Sequence, residues 1–320
     1  MKRWLFLTGI FAILVSRYGF MKGGTMKRLV GIGLLIVGMA GVSFAAESHA
    51  DQVIATILEN VKKIKEVVPD AVPMAFWDFD GTILKGDVTT GLKESGQVRY
   101  AGMAELAIRN GFSPYYKGEK GVEEFTRRDY PHLRSLARWL AYPLNAQILC
   151  GTRAATIDAF CIRQFDESFA AWYFSSSVRI LRALEEAGVE NHILSASPEL
   201  FVLAARKTLE LPADRFNGIR VAIDGGVVTE RLGYPLPSEG GKTEILQRIV
   251  RSTPHGYAVA AFGNSYVIDA DFLRYVVTQP PLPNGAKGTS MMINGGNPPP
   301  AYEGLFLCVQ QDDVVGPAKK

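Results

Sequence analysis

Between residues 50 and 68 apolar side chains recur at Val53, Ile54, Ile57, Leu58, Val61, Ile64 and Val68, the spacing of a helix with one buried face. Pro69 and Pro73 end it, and the apolar run Met74–Phe79 then reads as a short strand closed by a turn. From about Lys85 to Glu185 the pattern is mostly helical, with helices expected over 99–110, 121–141, 153–170 and 175–187. "NGFSPYYKG" and "AYPLN" separate them, and Gly188 suits a helix C-terminus. Beyond it the texture alternates: strand 191–195, helix 198–210, strand 219–223, a Gly-Gly turn with a short strand, then helix 242–252. Strand 257–262, helix 266–273 and strand 275–278 follow. Residues 280–303, rich in Pro, Gly and Asn, read as loop, and "GLFLCVQ" as one late strand.

Strands alternating with helices predict an α/β fold, a Rossmann-like three-layer core with a central, mostly parallel sheet. The first strand belongs to that sheet, so the helical stretch is an insertion between sheet strands. The expected division is a core of 46–84 and 186–320, a helical cap of 85–185, and a leader of 1–45.

That leader holds two apolar stretches, Trp4–Val15 and Leu29–Ala46. The second has the three parts of a secretory signal: basic Met26-Lys27-Arg28, apolar "LVGIGLLIVGMAG", and the small-x-small ending Ser43-Phe44-Ala45. Cleavage is expected near Ala45, giving a periplasmic or secreted protein with no stable membrane anchor; the competing reading is a pair of membrane helices, for which the first stretch is short. "KGGTM" is compatible with codons for a ribosome-binding sequence before Met26, so residues 1–25 are expected to be untranslated.

Charge then changes the picture. The chain's net +3 includes six Lys/Arg and no acid in residues 1–45, so the remainder is net negative and nucleic acid is excluded as a partner. Cys150, Cys161 and Cys308 form no CxxC, and the four histidines lack metal-ligand spacing. Cys150 and Cys161 either pair in an oxidising compartment or stay as free thiols.

In open α/β sheets, sites form at the carboxyl ends of strands. The first strand delivers Asp78 and Asp80 there, and the second Ser195. Lys242 opens a helix, and strand 257–262 runs into "FGNSYVIDADFL", with Asn264, Asp269 and Asp271. This set fits phosphoryl transfer: one carboxylate attacks phosphorus, a second acid moves the proton, hydroxyl and Lys donors hold phosphate oxygens, and Mg²⁺ offsets charge. "GGKT" suggests a P-loop, but Leu236 stands where the first glycine would be needed.

In these motifs the chain resembles the haloacid dehalogenase superfamily of phosphohydrolases. "DFDGT" matches its D-x-D-x-[TV] motif, "HILSAS" its second, Lys242 its third, and "GNSYVID" its acidic fourth. The order and spacing agree from Phe76 to about Leu273. The resemblance implies Asp78 as nucleophile and metal ligand, and Asp80 as general acid/base that also offers its backbone carbonyl to the metal. It implies Gly81, Thr82, Ser195 and Lys242 around the phosphate, and Asn264 and Asp269 at the Mg²⁺. The stretch from Asp78 to Ser195 would be a C1-type cap, with no room for a second cap before Lys242.

Asn264 departs from the family, which has Asp there; an amide oxygen is a weaker Mg²⁺ ligand, so either metal affinity is reduced or Asp269 or Asp271 compensates. Ser197 rivals Ser195. "SASPE" is similar to the phosphoserine phosphatase-like branch, and the longer fourth motif to exported phosphorylcholine phosphatases. The expected partner is a small phosphate ester, with phosphorylcholine and phosphoserine-like compounds as candidates. The cap offers Tyr115, Tyr116, Trp139, Tyr142, Trp172, Tyr173 and Phe174, either as core or in part as a cage for a quaternary ammonium. The alternative function is a non-catalytic phosphoryl-ligand binder with a degraded metal site.

Overall fold

A computed structural model describes residues 49–316. The export signal and leader assigned to residues 1–45 lie outside them. Among the described residues no helix is long and apolar enough to cross a membrane.

The first helix covers 49–67, with Val53, Ile57, Val61 and Ile64 buried. Ten strands follow: β1 (Val72–Trp77), β2 (Gly91–Glu94), β3 (Gln97–Ala101), β4 (Glu190–Pro198), β5 (Phe216–Ile219), β6 (Val221–Asp224), β7 (Val227–Leu232), β8 (Gly256–Gly263), β9 (Thr289–Ile293) and β10 (Leu307–Val309). Six of them form one sheet in the order β10-β9-β8-β1-β4-β5, and every pairing in it is parallel. Five of the six β1 residues are buried, as an all-parallel strand covered on both faces requires. The chain leaves β1 toward β4 on one side and later returns to β8 on the other. This reversal puts the strand ends of β1, β4 and β8 side by side.

A buried polar bridge fixes the centre of the sheet. Trp77 Nε1 donates to Asn191 Oδ1 at 2.8 Å, and Asn191 Nδ2 donates to Glu185 Oε2 at 2.8 Å on the helix Ser175–Glu186. On the opposite neighbour, Trp77 stacks on Phe262 with ring centroids 3.7 Å apart.

Between β1 and β4 lie the helices Met103–Arg109, Gly118–Glu123, Tyr130–Leu136, Arg138–Gln147, Ala154–Gln164 and Ser175–Glu186. Several expectations are corrected here. The helix expected from residue 99 starts at Met103, because 91–101 is the antiparallel hairpin β2–β3. Its turn is Ser95-Gly96, both at positive φ (50° and 78°), the backbone that two-residue hairpin loops need. The 121–141 helix breaks at Ala137, which is extended (φ −166°, ψ 144°). "AYPLN" is no break: Pro143 sits inside the helix Arg138–Gln147.

Further along, the expected strand 219–223 divides at Arg220. Its first part closes the edge of the sheet as β5, and its second pairs with β7 in a separate hairpin. That hairpin docks on the helical insertion through Gly151 N to Val228 O (2.8 Å) and Val228 N to Thr152 O (2.9 Å). "YVVT" is not a strand. It ends the helix Ala270–Thr278, whose buried Phe272, Leu273 and Val276 form one face, so packing overrides β-branched preference. The strand sought there is β9, wholly buried inside the stretch read as loop. All three cysteines are free.

His192, in β4, is buried and stacks on Phe76 with centroids 5.4 Å apart. Burial, helped by Arg215, pushes its pKa down from 6.5 to about 4. The unfolded chain therefore takes up a proton that the folded chain refuses. Stability is expected to fall as pH drops from about 6.5 to about 4, by roughly 3 kcal/mol. Urea unfolding across that window should show the loss in the wild type and a shallower slope in His192→Gln; equal slopes would refute the assignment.

Candidate active site

β1 stops at Trp77, but Asp78 N still donates to Phe262 O of β8 at 2.8 Å before the chain turns. The turn hangs on Phe79, whose carbonyl accepts from Ile83 N (2.9 Å) and Leu84 N (3.0 Å) and whose ring is buried against Phe165 and Tyr173. Anchoring Phe79 in the core sends Asp78 and Asp80 the other way, toward a cavity of about 210 Å³. Gly81 adopts φ +74°, and a Cβ there would come 1.8 Å from Asn264 Nδ2. Only glycine lets the amide of Asn264 approach the loop.

Asp78 is 5 % exposed. Its Oδ1 accepts from Lys242 Nζ at 2.5 Å and its Oδ2 from Thr82 Oγ1 at 3.0 Å. Lys242, fully buried, also donates to Asp269 Oδ1 at 2.6 Å. Asp269 Oδ2 accepts from the backbone N–H groups of Asn264 (3.0 Å) and Ser265 (2.9 Å). Burial, then the nearby Asp269 charge, raises Asp78 to about 7 against the opposing pull of Lys242. Lys242 itself is held above its ordinary value, its burial outweighed by Asp269 and Asp78.

Asp80 accepts from Val88 N at 2.6 Å and from Ser197 Oγ at 2.6 Å, with Ser195 Oγ at 3.5 Å. Burial, then Asp87 and Asp78, drives its pKa well above the carboxylate range. Two neighbouring carboxyls with their pKa values pushed up by burial and by nearby acids are the arrangement that can split acid and nucleophile roles between two like residues.

The structure brings together Asp78, Asp80, Gly81, Thr82, Ser195, Lys242, Asn264 and Asp269, with differences in role. Thr82 and Lys242 are fully buried and bind Asp78 rather than lining the cavity. Ser195 is fully buried and accepts from Ser197 N at 3.1 Å, and it is Ser197 that lines the cavity. Asp271 is exposed in the first turn of its helix and lies outside the site, which removes it as a compensating ligand.

Of the aromatics expected in a cage, only Tyr142 lines the cavity. Tyr115 pairs with Glu230, Trp139 is 67 % exposed, and Tyr173 and Phe174 are core. Asp87, Tyr130 and Asn145 also line it, and nothing local in the sequence marks Tyr130 or Asn145. Asp87 carries a signal, "GDVTT", but one that reads as a turn: its Oδ1 accepts from Thr89 N and Thr90 N, both at 2.8 Å.

The residues lining the cavity beside Asp78 offer hard oxygens, as Mg²⁺ requires: the Asp78 carboxylate and the Asn264 amide, with the Asp80 backbone carbonyl as the third donor that the family resemblance implies. The space above Gly81 seats that amide, so the residues present fit the ion. Asp269 has both oxygens engaged and would support the site from behind. Among the described residues no three His, Cys, Asp or Glu side chains cluster to hold a metal.

Sheet order, strand-end acids and buried lysine define a hydrolase of the α/β class with an aspartate-centred site. Residues 75–274 match the family model of the haloacid dehalogenase-like hydrolases, and the chain belongs to that family. No curated protein matches the sequence. Solved structures share the fold at low identity. A Bordetella pertussis Tohama I protein of unknown function aligns at TM-score 0.54 and 13 % identity, covering 75 % of this chain and 98 % of its own. A functionally unknown Anaerococcus prevotii protein aligns at 0.50 and 14 %, covering 78 % and 90 %. A HAD-family hydrolase from Salmonella enterica serovar Typhi gives 0.46 and 15 %, covering 76 % and 69 %.

Proposed function

We propose that this protein is an exported, Mg²⁺-dependent phosphatase that hydrolyses a small phosphate monoester bearing a cationic nitrogen, with phosphorylcholine and phosphoserine-like esters as the candidates. Asp78 attacks phosphorus and forms an aspartyl-phosphate, while Asp80 gives its proton to the leaving oxygen. Asp80, now a carboxylate, takes a proton from the water that attacks the acyl-phosphate, releasing phosphate and restoring Asp78. Mg²⁺ held by Asp78, the Asp80 carbonyl and Asn264 would offset the charge of the phosphoryl oxygens. Ser265 also lines the cavity and can supply a hydroxyl donor, while the one proton of the Ser197 hydroxyl is engaged by Asp80.

The observation that carries the substrate reading is Asp87. Its side chain lines the cavity with Asp80, whose pKa its charge, after burial, helps to raise. Arg134 on the same lining opposes the burial that raises the pKa of Asp87, without a direct ion pair among the described residues. Asn145 Oδ1, buried without a hydrogen-bond partner, adds an acceptor to the lining of the same cavity, which also includes the aromatic residues Tyr130 and Tyr142. A free acceptor, a carboxylate and two aromatic residues favour a cationic nitrogen, with Arg134 in the same lining as a donor for the phosphate. The non-catalytic alternative rests on Asn264 alone, since the acid pair and its lysine are intact.

A phosphate-ester panel on the mature protein tests this. With Mg²⁺, kcat/KM for the amine-bearing esters is expected to exceed that for glycerol phosphate by about tenfold or more. Asp87→Asn should erase that preference while sparing an aryl phosphate. Equal turnover of all esters by the wild type would overturn the substrate reading, and no turnover with Mg²⁺ would overturn the enzyme reading. An amino terminus near Ala46 in cell-derived protein tests export.

A further inference from the structure

The segment 311–316 folds back beneath the active-site loop. Gln311 N donates to Asn294 Oδ1 at 2.7 Å and Asn294 Nδ2 donates to Gln311 O at 2.8 Å, fastening the segment to the end of β9. Its next residues run beside 171–175: Ser175 N to Asp313 O (2.8 Å), Val315 N to Tyr173 O (2.9 Å) and Gly316 N to Ala171 O (2.9 Å). The stretch 171–175 is itself bound to the nucleophile loop, through Phe174 N to Ile83 O and Lys85 N to Trp172 O, both 2.8 Å. Outgoing and returning connectors of the helical insertion are thus held in one ladder, with 313–316 as its outer rung. Asp313 Oδ2 also caps the helix Ser175–Glu186, accepting from Ser175 Oγ (2.6 Å), Ser176 N (2.9 Å) and Ser176 Oγ (2.6 Å).

The side chain of Gln311, 6 % exposed, reaches further in. Ser177, fully buried, places its Oγ 2.9 Å from Gln311 Oε1 and 2.7 Å from Thr82 O, two acceptors for one hydroxyl. A serine hydroxyl has one proton. If it serves Thr82 O, the Gln311 amide must donate to Ser177, which a half-turn of the amide allows. Thr82 in turn donates to Asp78 Oδ2 at 3.0 Å. The buried path is therefore Gln311, Ser177, Thr82, Asp78.

We infer that Gln311 is a positioning residue for the nucleophile: through Ser177 it fixes the Thr82 peptide and, with it, the orientation of Asp78. The family match ends at residue 274, so this brace is built from chain beyond the matched region. The reading rests on the activity proposed above for its kinetic arm only.

Gln311→Met keeps length and shape but removes both amide groups, and Ser177→Ala removes the relay. Each is expected to lower kcat about tenfold with KM within about twofold, and the double variant to lose no more than either single one. Unchanged kcat at unchanged melting temperature, or multiplying losses, would overturn the inference. Hydrogen exchange supplies a readout independent of turnover. Peptides spanning 79–90 should exchange faster in Gln311→Met, while those of β4 and β8 do not change. Uniform acceleration, or none, counts against the brace. If the wild type hydrolyses no ester, the proposed function fails and the exchange result still decides this inference.

Discussion

Asp78→Asn is expected to abolish ester hydrolysis, with kcat reduced by about 10³-fold or more, in a protein that stays folded at the assay temperature with a lowered melting temperature. The amide cannot form the acyl-phosphate, and if its oxygen keeps Thr82 as donor its nitrogen faces Lys242 Nζ, a donor against a donor. Lys242 retains Asp269 as its partner, and loss of a buried carboxylate raised to about 7 offsets part of the cost. Single-turnover assays with an aryl phosphate, paired with thermal melts, check both halves. Activity within tenfold of the wild type would remove Asp78 as nucleophile. Lost activity accompanied by a collapsed melting temperature would show a structural role instead.

The second large effect falls on Lys242. It is fully buried between Asp78 and Asp269 and also lies over the Phe272 ring, 5.4 Å from its centroid. Lys242→Met preserves the stem and its packing but leaves two carboxyls without their cation. Breaking a buried pair on one side costs on the order of 3–5 kcal/mol. The sign with pH is definite. Without Lys242 the Asp78 pKa rises further above its unfolded value, so the folded state takes up a proton more readily as pH falls. The deficit against wild type is therefore largest at alkaline pH, shrinks as pH falls toward about 7, and levels off below it, where Asp78 is protonated in both proteins. Urea unfolding of both proteins across that range measures it; a pH-independent deficit would show that packing, not charge, was lost. Turnover should vanish at every pH.

Much of this centre was legible because its signals are local. An apolar strand running into "DFDGT" announces both its burial and its acids, and alternation after residue 190 announces a parallel sheet. Asn264 was visible as the odd donor, and it does face the cavity. What escaped is tertiary. Tyr130 and Asn145 come from two helices that meet over the strand ends, and no spacing in the chain records that meeting. Asp87 was masked by its own turn, since one carboxylate oxygen has the local job that its residue type predicts. Ser195 and Ser197 sit two apart on one strand and so share a face, and only the end of β4 decides which meets the cavity. β9 hid inside a Pro/Gly-rich stretch because a five-residue buried strand has neither alternation nor length to declare itself.

The place of β1 has a consequence for how the chain acquires its shape. Met74 pairs with Glu190 on one side and Val72 with Gly256 on the other, so the central strand is made first and waits more than a hundred residues for either neighbour. Such non-local closure is slow, and until it happens a strand with five of its six residues destined for burial lacks both sheet neighbours. A nascent chain that ends before β8 has no finished sheet and no assembled acid pair. The enzyme is thus inert while it is being made, and a chain that stays open this long is suited to crossing a membrane as the proposed export would require.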